Sequence, residues 1–153
     1  MVVIGFETQI LNRSYSVILI EMEKHEQLLN MLMEFSPLIR FTAVCTHEGE
    51  IKWHSQRDNV TNIIPIEETK ASIKRASESW NARADLSGNG TGRGMYTITA
   101  YEKIKRITIP LDEEHILFIS TDNTPVKDQK RSYGRLIGMG QIMSIVDFIN
   151  ENK

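Results

Sequence analysis

The chain has 153 residues, 41% hydrophobic and 25% charged, with a formal net charge of −2. That balance describes one ordinary globular domain able to bury a core without staples, and it lacks the basic excess of a nucleic-acid surface. Cys45 is the single cysteine, which excludes an intramolecular disulfide and a cysteine-built metal cluster and agrees with a cytoplasmic setting.

Residues 1–21 read differently from the rest. Their apolar runs, Val2–Ile4 and Val17–Ile20, are too short for a signal-peptide core, and Glu7 breaks the first. No run approaches the roughly 18 apolar residues of a membrane span. Two readings stand for this segment: an extra strand or two, or an extension upstream of a functional start at Met22. The domain proper is expected over residues 22–153.

From Met22 to Phe35, Leu28, Leu29, Leu32 and Phe35 recur at helical spacing, and Ser36–Pro37 stops the helix. Ile39, Phe41, Ala43 and Cys45 then alternate with polar partners, Glu48–Gly49 supplies a turn, and Ile51–Ser55 returns, which predicts a β-hairpin. A long helix follows over Glu67–Leu86. Pro65 suits its first turn, Glu67 and Glu68 suit the positive end of its dipole, and Thr69, Ile73, Ala76, Trp80 and Ala84 share one face.

Three strands are expected next. Met95–Ala100 and Ile104–Ile109 flank a turn at Glu102–Lys103, and "HILFIS", His115–Ser120, is apolar on both sides. In the last helix Leu136, Met139, Met143, Val146 and Ile149 share a face, weakened by Gly134, Gly138 and Gly140. The order is α-β-β-α-β-β-β-α, which specifies an α+β fold with a five-stranded antiparallel sheet flanked by helices.

Candidate chemistry is sparse. Gly88, Gly90, Gly92 and Gly94 alternate strictly, without the Lys-Ser/Thr of a phosphate loop or the spacing of a dinucleotide fingerprint. They read as a connector, with Arg93 able to make a modest anion nest. Of His25, His47, His54 and His115, no two share the helical spacing of a zinc protease. His47 and His54 flank the hairpin turn, where a metal would need Glu48 or Glu50, and His115 reads as a strand-edge residue, so no metal site is expected. Cys45 lies on an apolar strand side, where a thiol is inert. The acidic clusters Glu67–Glu68 and Asp112–Glu113–Glu114 read as a helix start and a turn. Lys103, Lys105 and Arg106, together with Lys127, Lys130, Arg131 and Arg135, read first as solvated surface. Were these two groups to converge, they could bind an acidic partner or phosphate, with Arg93, Lys105 and Arg106 as the candidate anion contacts.

Two segments, "IRFTAVCTHEGEIKWHSQRDNVTNIIPIEETKASIKRA" and "GRGMYTITAYEKIKRITIPLDEEHILFISTD", carry a resemblance. They look like a family of small archaeal proteins with a domain of unknown function, common in ammonia-oxidising archaea, and the similarity is strongest in "AYEKIKRITIPLDEEHILFIST". It covers roughly Met22 to Thr121 and implies no activity. In element order the chain is similar to roadblock domains, and more loosely to profilin-like and sensor folds. The roadblock resemblance implies a homodimeric, non-enzymatic scaffold without a cofactor, which binds a small GTPase or assembles regulatory complexes.

On that basis the expected dimer interface comprises the long helix and the strand Met95–Ala100, with Ile73, Trp80, Met95, Tyr96 and Ile98 as its residues. Pairing that strand with its symmetry mate would cover an exposed edge. The alternative is a small-molecule sensor with a pocket between sheet and helices, lined by Phe41, Trp53, Trp80 and Tyr96. Neither nucleic acid nor a membrane is expected as a partner.

Overall fold

The computed structural model describes residues 20, 22–58, 65–84, 90–123 and 139–152. Several expectations concern other residues: residues 1–19 and 21, Leu86, Gly88, the basic residues Lys127, Lys130, Arg131 and Arg135, and Leu136 in the last helix all lie outside the described set.

Helix α1 occupies residues 22–35 and ends at Ser36, ahead of Pro37 as proline sterics require. Strands β1 (Ile39–Thr46) and β2 (Ile51–Gln56) form the expected hairpin, and α2 (Ile66–Ala84) follows. Strands β3 (Thr97–Ala100), β4 (Ile104–Pro110) and β5 (His115–Asp122) precede α3 (Met139–Glu151). The five strands form one antiparallel sheet in the order β2-β1-β5-β4-β3. The two hairpin edges therefore flank β1 and β5, which need a buried position because both faces of β5 are apolar.

Two apolar layers result. On one face, Leu29 and Leu32 of α1 and Ile142, Ile145, Val146 and Ile149 of α3 pack on Ile39, Val44, Ile107, Ile109, Leu117 and Ile119. On the other, Ile73 of α2 packs on Ala43, Cys45 and Phe118. Helices thus cover both faces, unequally: two serve the first and one the second.

β1 departs from its expected alternation. Ile39 was expected beside Phe41, Ala43 and Cys45, yet it belongs to the first face and they to the second. The cause is a register shift between Ile39 and Phe41 against β5, where one extra residue inverts the phase of everything before it. A second shift lies against β2. Val44 pairs with Trp53 and Cys45 with Ile51, so Lys52 is the extra residue and Trp53 turns to the α1 side. Phe35 also differs from expectation. It is exposed, and α1 buries His25, Leu29 and Leu32 instead, with Ser36 buried just past its end.

Two contacts seat the helices. Arg57, just past β2, donates from Nε to the Ile39 carbonyl at 3.1 Å and from Nη2 to the carbonyls of Met33 and Ser36, each at 3.0 Å. A guanidinium on these carbonyls at the end of α1 satisfies acceptors that the helix cannot and meets its negative dipole end. On the opposite face the β1–β2 turn rests on α2. Gly49 has φ +87°, and a Cβ there would stand 2.6 Å from the Lys74 Cα, so only glycine allows both the turn and the approach. Beside it, Asn81 of α2 donates to the His47 carbonyl at 2.9 Å.

Candidate functional site

Because α2 is tied to the β1–β2 turn, it lies over one half of the second face. The half formed by β3 and β4 is left as an open groove, lined by Ser72, Arg75, Ser79 and Arg83 of α2 and by Thr97, Thr99, Arg106 and Thr108 of the sheet. Apolar atoms of Ala76, Ile104 and Phe118 reach into the same groove. Strand alternation explains the polar wall: Arg106 and Thr108 point here, whereas Ile107 and Ile109 point to the first face.

The groove's charge is mostly positive, with Arg75, Arg83, Lys103 and Arg106 against Glu68 and Glu102. Its arginines are partly held. Arg106 donates to the Ser72 hydroxyl and its guanidinium lies 5.4 Å from the Tyr101 ring centroid. Arg83 donates to the Ser79 hydroxyl at 2.8 Å. The β3–β4 turn that forms one end is braced by Asn123, whose amide donates to the Tyr101 carbonyl at 2.7 Å and whose backbone N–H donates to the Lys103 carbonyl at 2.9 Å.

β3 is the outer strand of the sheet and pairs only with β4 among the described residues. Its outer row of peptide groups is therefore a template for another strand. It begins at Thr97, two residues later than expected, so Met95 and Tyr96 precede the strand.

The residues singled out for an interface separate into two groups. Ile73 and Trp80 are buried, Ile73 against the sheet of its own chain, so they hold α2 in place and present no surface. Trp80 is also covered by Gly94, where a Cβ would meet its ring at 3.0 Å. Met95 is exposed, and Tyr96 and Ile98 are half-buried beside the edge. The four aromatic residues considered for a ligand pocket do not converge. Phe41 packs with the second-face cluster, whereas Trp53 and Tyr96 pack with the first. The three cations considered for an anion also divide, since Lys105 and Arg106 are successive residues of β4 and project to opposite faces. What sequence reasoning missed is the polar side of α2: Ser72, Arg75, Ser79 and Arg83 read as solvated surface until the sheet is placed beneath them.

Comparison with solved structures shows where this architecture recurs. A structure titled MglB with tetrameric arrangement is similar to the chain at TM-score 0.62 and 13% identity, covering 85% of each. The gliding protein MglB from Thermus thermophilus gives 0.56 at 14%, over 86% of this chain and 91% of that one. A roadblock/LC7 domain from Streptomyces avermitilis gives 0.53 at 8%, over 82% and 94%. The fold is roadblock-like. The sequence matches no protein-family model and no curated protein. No described helix of this roadblock-like chain is long and apolar enough to cross a membrane.

Proposed function

We propose that the chain is a non-enzymatic regulatory scaffold of roadblock type, which forms a homodimer and binds another regulatory protein, a small GTPase or a functional equivalent. The observation that carries this reading is the β3 edge. A short strand with no partner on its outer side among the described residues, and with a flanking groove, is suited to antiparallel pairing with its own copy across a two-fold axis. Such pairing would join two sheets into one and set the two grooves side by side. The similarity in fold to MglB and to a roadblock/LC7 domain supports the assignment.

The groove supports a binding role over catalysis. Its serine and threonine hydroxyls stand among four cations, Arg75, Arg83, Lys103 and Arg106, against two carboxylates, Glu68 and Glu102, with no histidine or cysteine among the described lining residues, a composition suited to holding an acidic surface. Its cationic excess favours an acidic partner surface and would speed that encounter more than tighten it. We place the protein in the cytoplasm, where a lone thiol such as Cys45 stays reduced.

The test is native mass spectrometry of the chain and of the double variant Thr97→Lys, Thr99→Lys. Both positions lie on the edge strand outside the buried core. In an antiparallel pair across a two-fold axis, their added charges would face like charges. The expected result is a dimer for the parent and a folded monomer for the variant. A parent that remains monomeric at micromolar concentration, or a variant that stays dimeric, refutes the edge-paired scaffold.

A further inference from the structure

We propose that His25, Asp112 and His115 form a site for a divalent transition-metal ion of the zinc class, on the opposite face from the groove and independent of dimer formation. The three come from elements far apart in sequence. His25 lies near the start of α1, Asp112 in the β4–β5 turn, and His115 opens β5 on the side of Leu117 and Ile119, towards α1. One nitrogen or oxygen from each lies within 4.8 Å of the others.

The site is built from its turn upward. Asp112 Oδ1 accepts hydrogen bonds from the backbone N–H groups of Glu114 and His115, both at 2.8 Å, which fixes the carboxylate at the mouth of the turn. Its two oxygens each stand 3.0 Å from His115 Nδ1. Partial burial pushes the Asp112 carboxyl up, but the hydrogen bonds from His115 and Glu114 outweigh it and hold it below the usual carboxylate range. His25 is buried, its ring centroid 5.0 Å from that of His115 and 4.5 Å from that of Trp53. Trp53, turned to this face by the extra residue in β2, also stands 5.8 Å from His115 and walls the cluster.

Chemistry selects the ion class. Two imidazoles and a carboxylate suit zinc and its first-row neighbours, whereas magnesium and calcium prefer oxygen ligands throughout. Ligand bonds near 2.0–2.2 Å in a tetrahedron separate ligand atoms by about 3.4 Å. The Asp112–His115 pair stands at hydrogen-bond distance, 3.0 Å, so binding an ion releases the proton on Nδ1 and opens the pair by a few tenths of an ångström, while His25 closes in from within 4.8 Å as the third ligand. Three protein ligands leave one position for water or for a group from a partner. The ion would fasten the start of α1 to the β4–β5 turn.

The experiment uses the full, untagged chain freed of metal with a chelator. Zn2+ is titrated calorimetrically, and Co2+ is titrated with detection by its visible spectrum and by tryptophan fluorescence. Expected are one ion per chain, a Co2+ spectrum of a low-coordinate nitrogen–oxygen site, and quenching that survives Trp80→Phe but disappears in Trp53→Phe. Asp112→Asn and His115→Gln should each weaken Zn2+ by more than tenfold, since losing a ligand costs at least as much as losing its outer support. His54→Ala is the control, because His54 stacks on Phe41 across the sheet. Circular dichroism checks folding, and the exposed Asp112 carries the test should a histidine variant unfold. Absence of saturable uptake, affinity unchanged in Asp112→Asn, or binding lost in His54→Ala each overturns the proposal.

Discussion

Replacing Gly49 with alanine tests the docking of the β1–β2 turn on α2. Two costs add. The residue sits at φ +87°, where a Cβ costs about 1–2 kcal/mol. That Cβ would also lie 2.6 Å from the Lys74 Cα and 3.2 Å from its N. A helix backbone cannot swing aside as a side-chain tip can, so the turn must lift, at about 1–3 kcal/mol by the usual cost of overpacking. Alanine restricts the unfolded chain and returns about 0.4–1 kcal/mol, leaving a net loss of about 2–4 kcal/mol. Gly92→Ala is the internal control. Its φ is +78° with nothing within 4 Å of the added carbon, so only the conformational term remains, a net loss of about 1 kcal/mol. At this chain length each kcal/mol lowers Tm by about 2–4 °C. Gly49→Ala should therefore melt about 5–15 °C below the parent, and Gly92→Ala only a few degrees below it. Urea unfolding followed by circular dichroism gives both free energies. If the two variants lose stability equally, within about 0.5 kcal/mol, the close approach of turn and helix is refuted.

Burial pushes the Cys45 thiol from 9.0 up to about 12. A folded-state pKa above the unfolded one means that its share of stability is intact below pH 9 and drains as pH rises towards 12. That loss is about 1.4 kcal/mol per pH unit. The parent should thus lose stability more steeply than Cys45→Ala above pH 9 in urea titrations, and parallel slopes would refute the assignment. Thr42 and Thr121 bury hydroxyls that have no hydrogen-bond partner among the described residues, so Thr42→Val, which keeps the shape and removes the stranded group, should stabilise by about 1 kcal/mol. A destabilised Thr42→Val in calorimetry would show that the hydroxyl is satisfied after all.

Local chemistry determined the elements. Proline after Ser36, the glycine at the first hairpin, the apolar run of β5 and the apolar stripe of α2 each act within a few residues of the chain, so α-β-β-α-β-β-β-α and the antiparallel sheet were legible from composition and period alone. What required tertiary structure was every property set by one residue more or less against a distant partner. The extra residue between Ile39 and Phe41, and the other at Lys52, exchange the faces of Ile39 and Trp53 without any local mark in the sequence. Arg57 likewise has no motif, because its value lies in carbonyls of α1 and β1. The same holds for the two candidate sites. The groove exists because α2 is tethered over half of a face, and the histidines that sequence spacing kept apart, His25 and His115, meet because α1 crosses the end of β5. Periodicity reports which way a side chain points relative to its neighbours in sequence. Only the packed sheet decides what it points at.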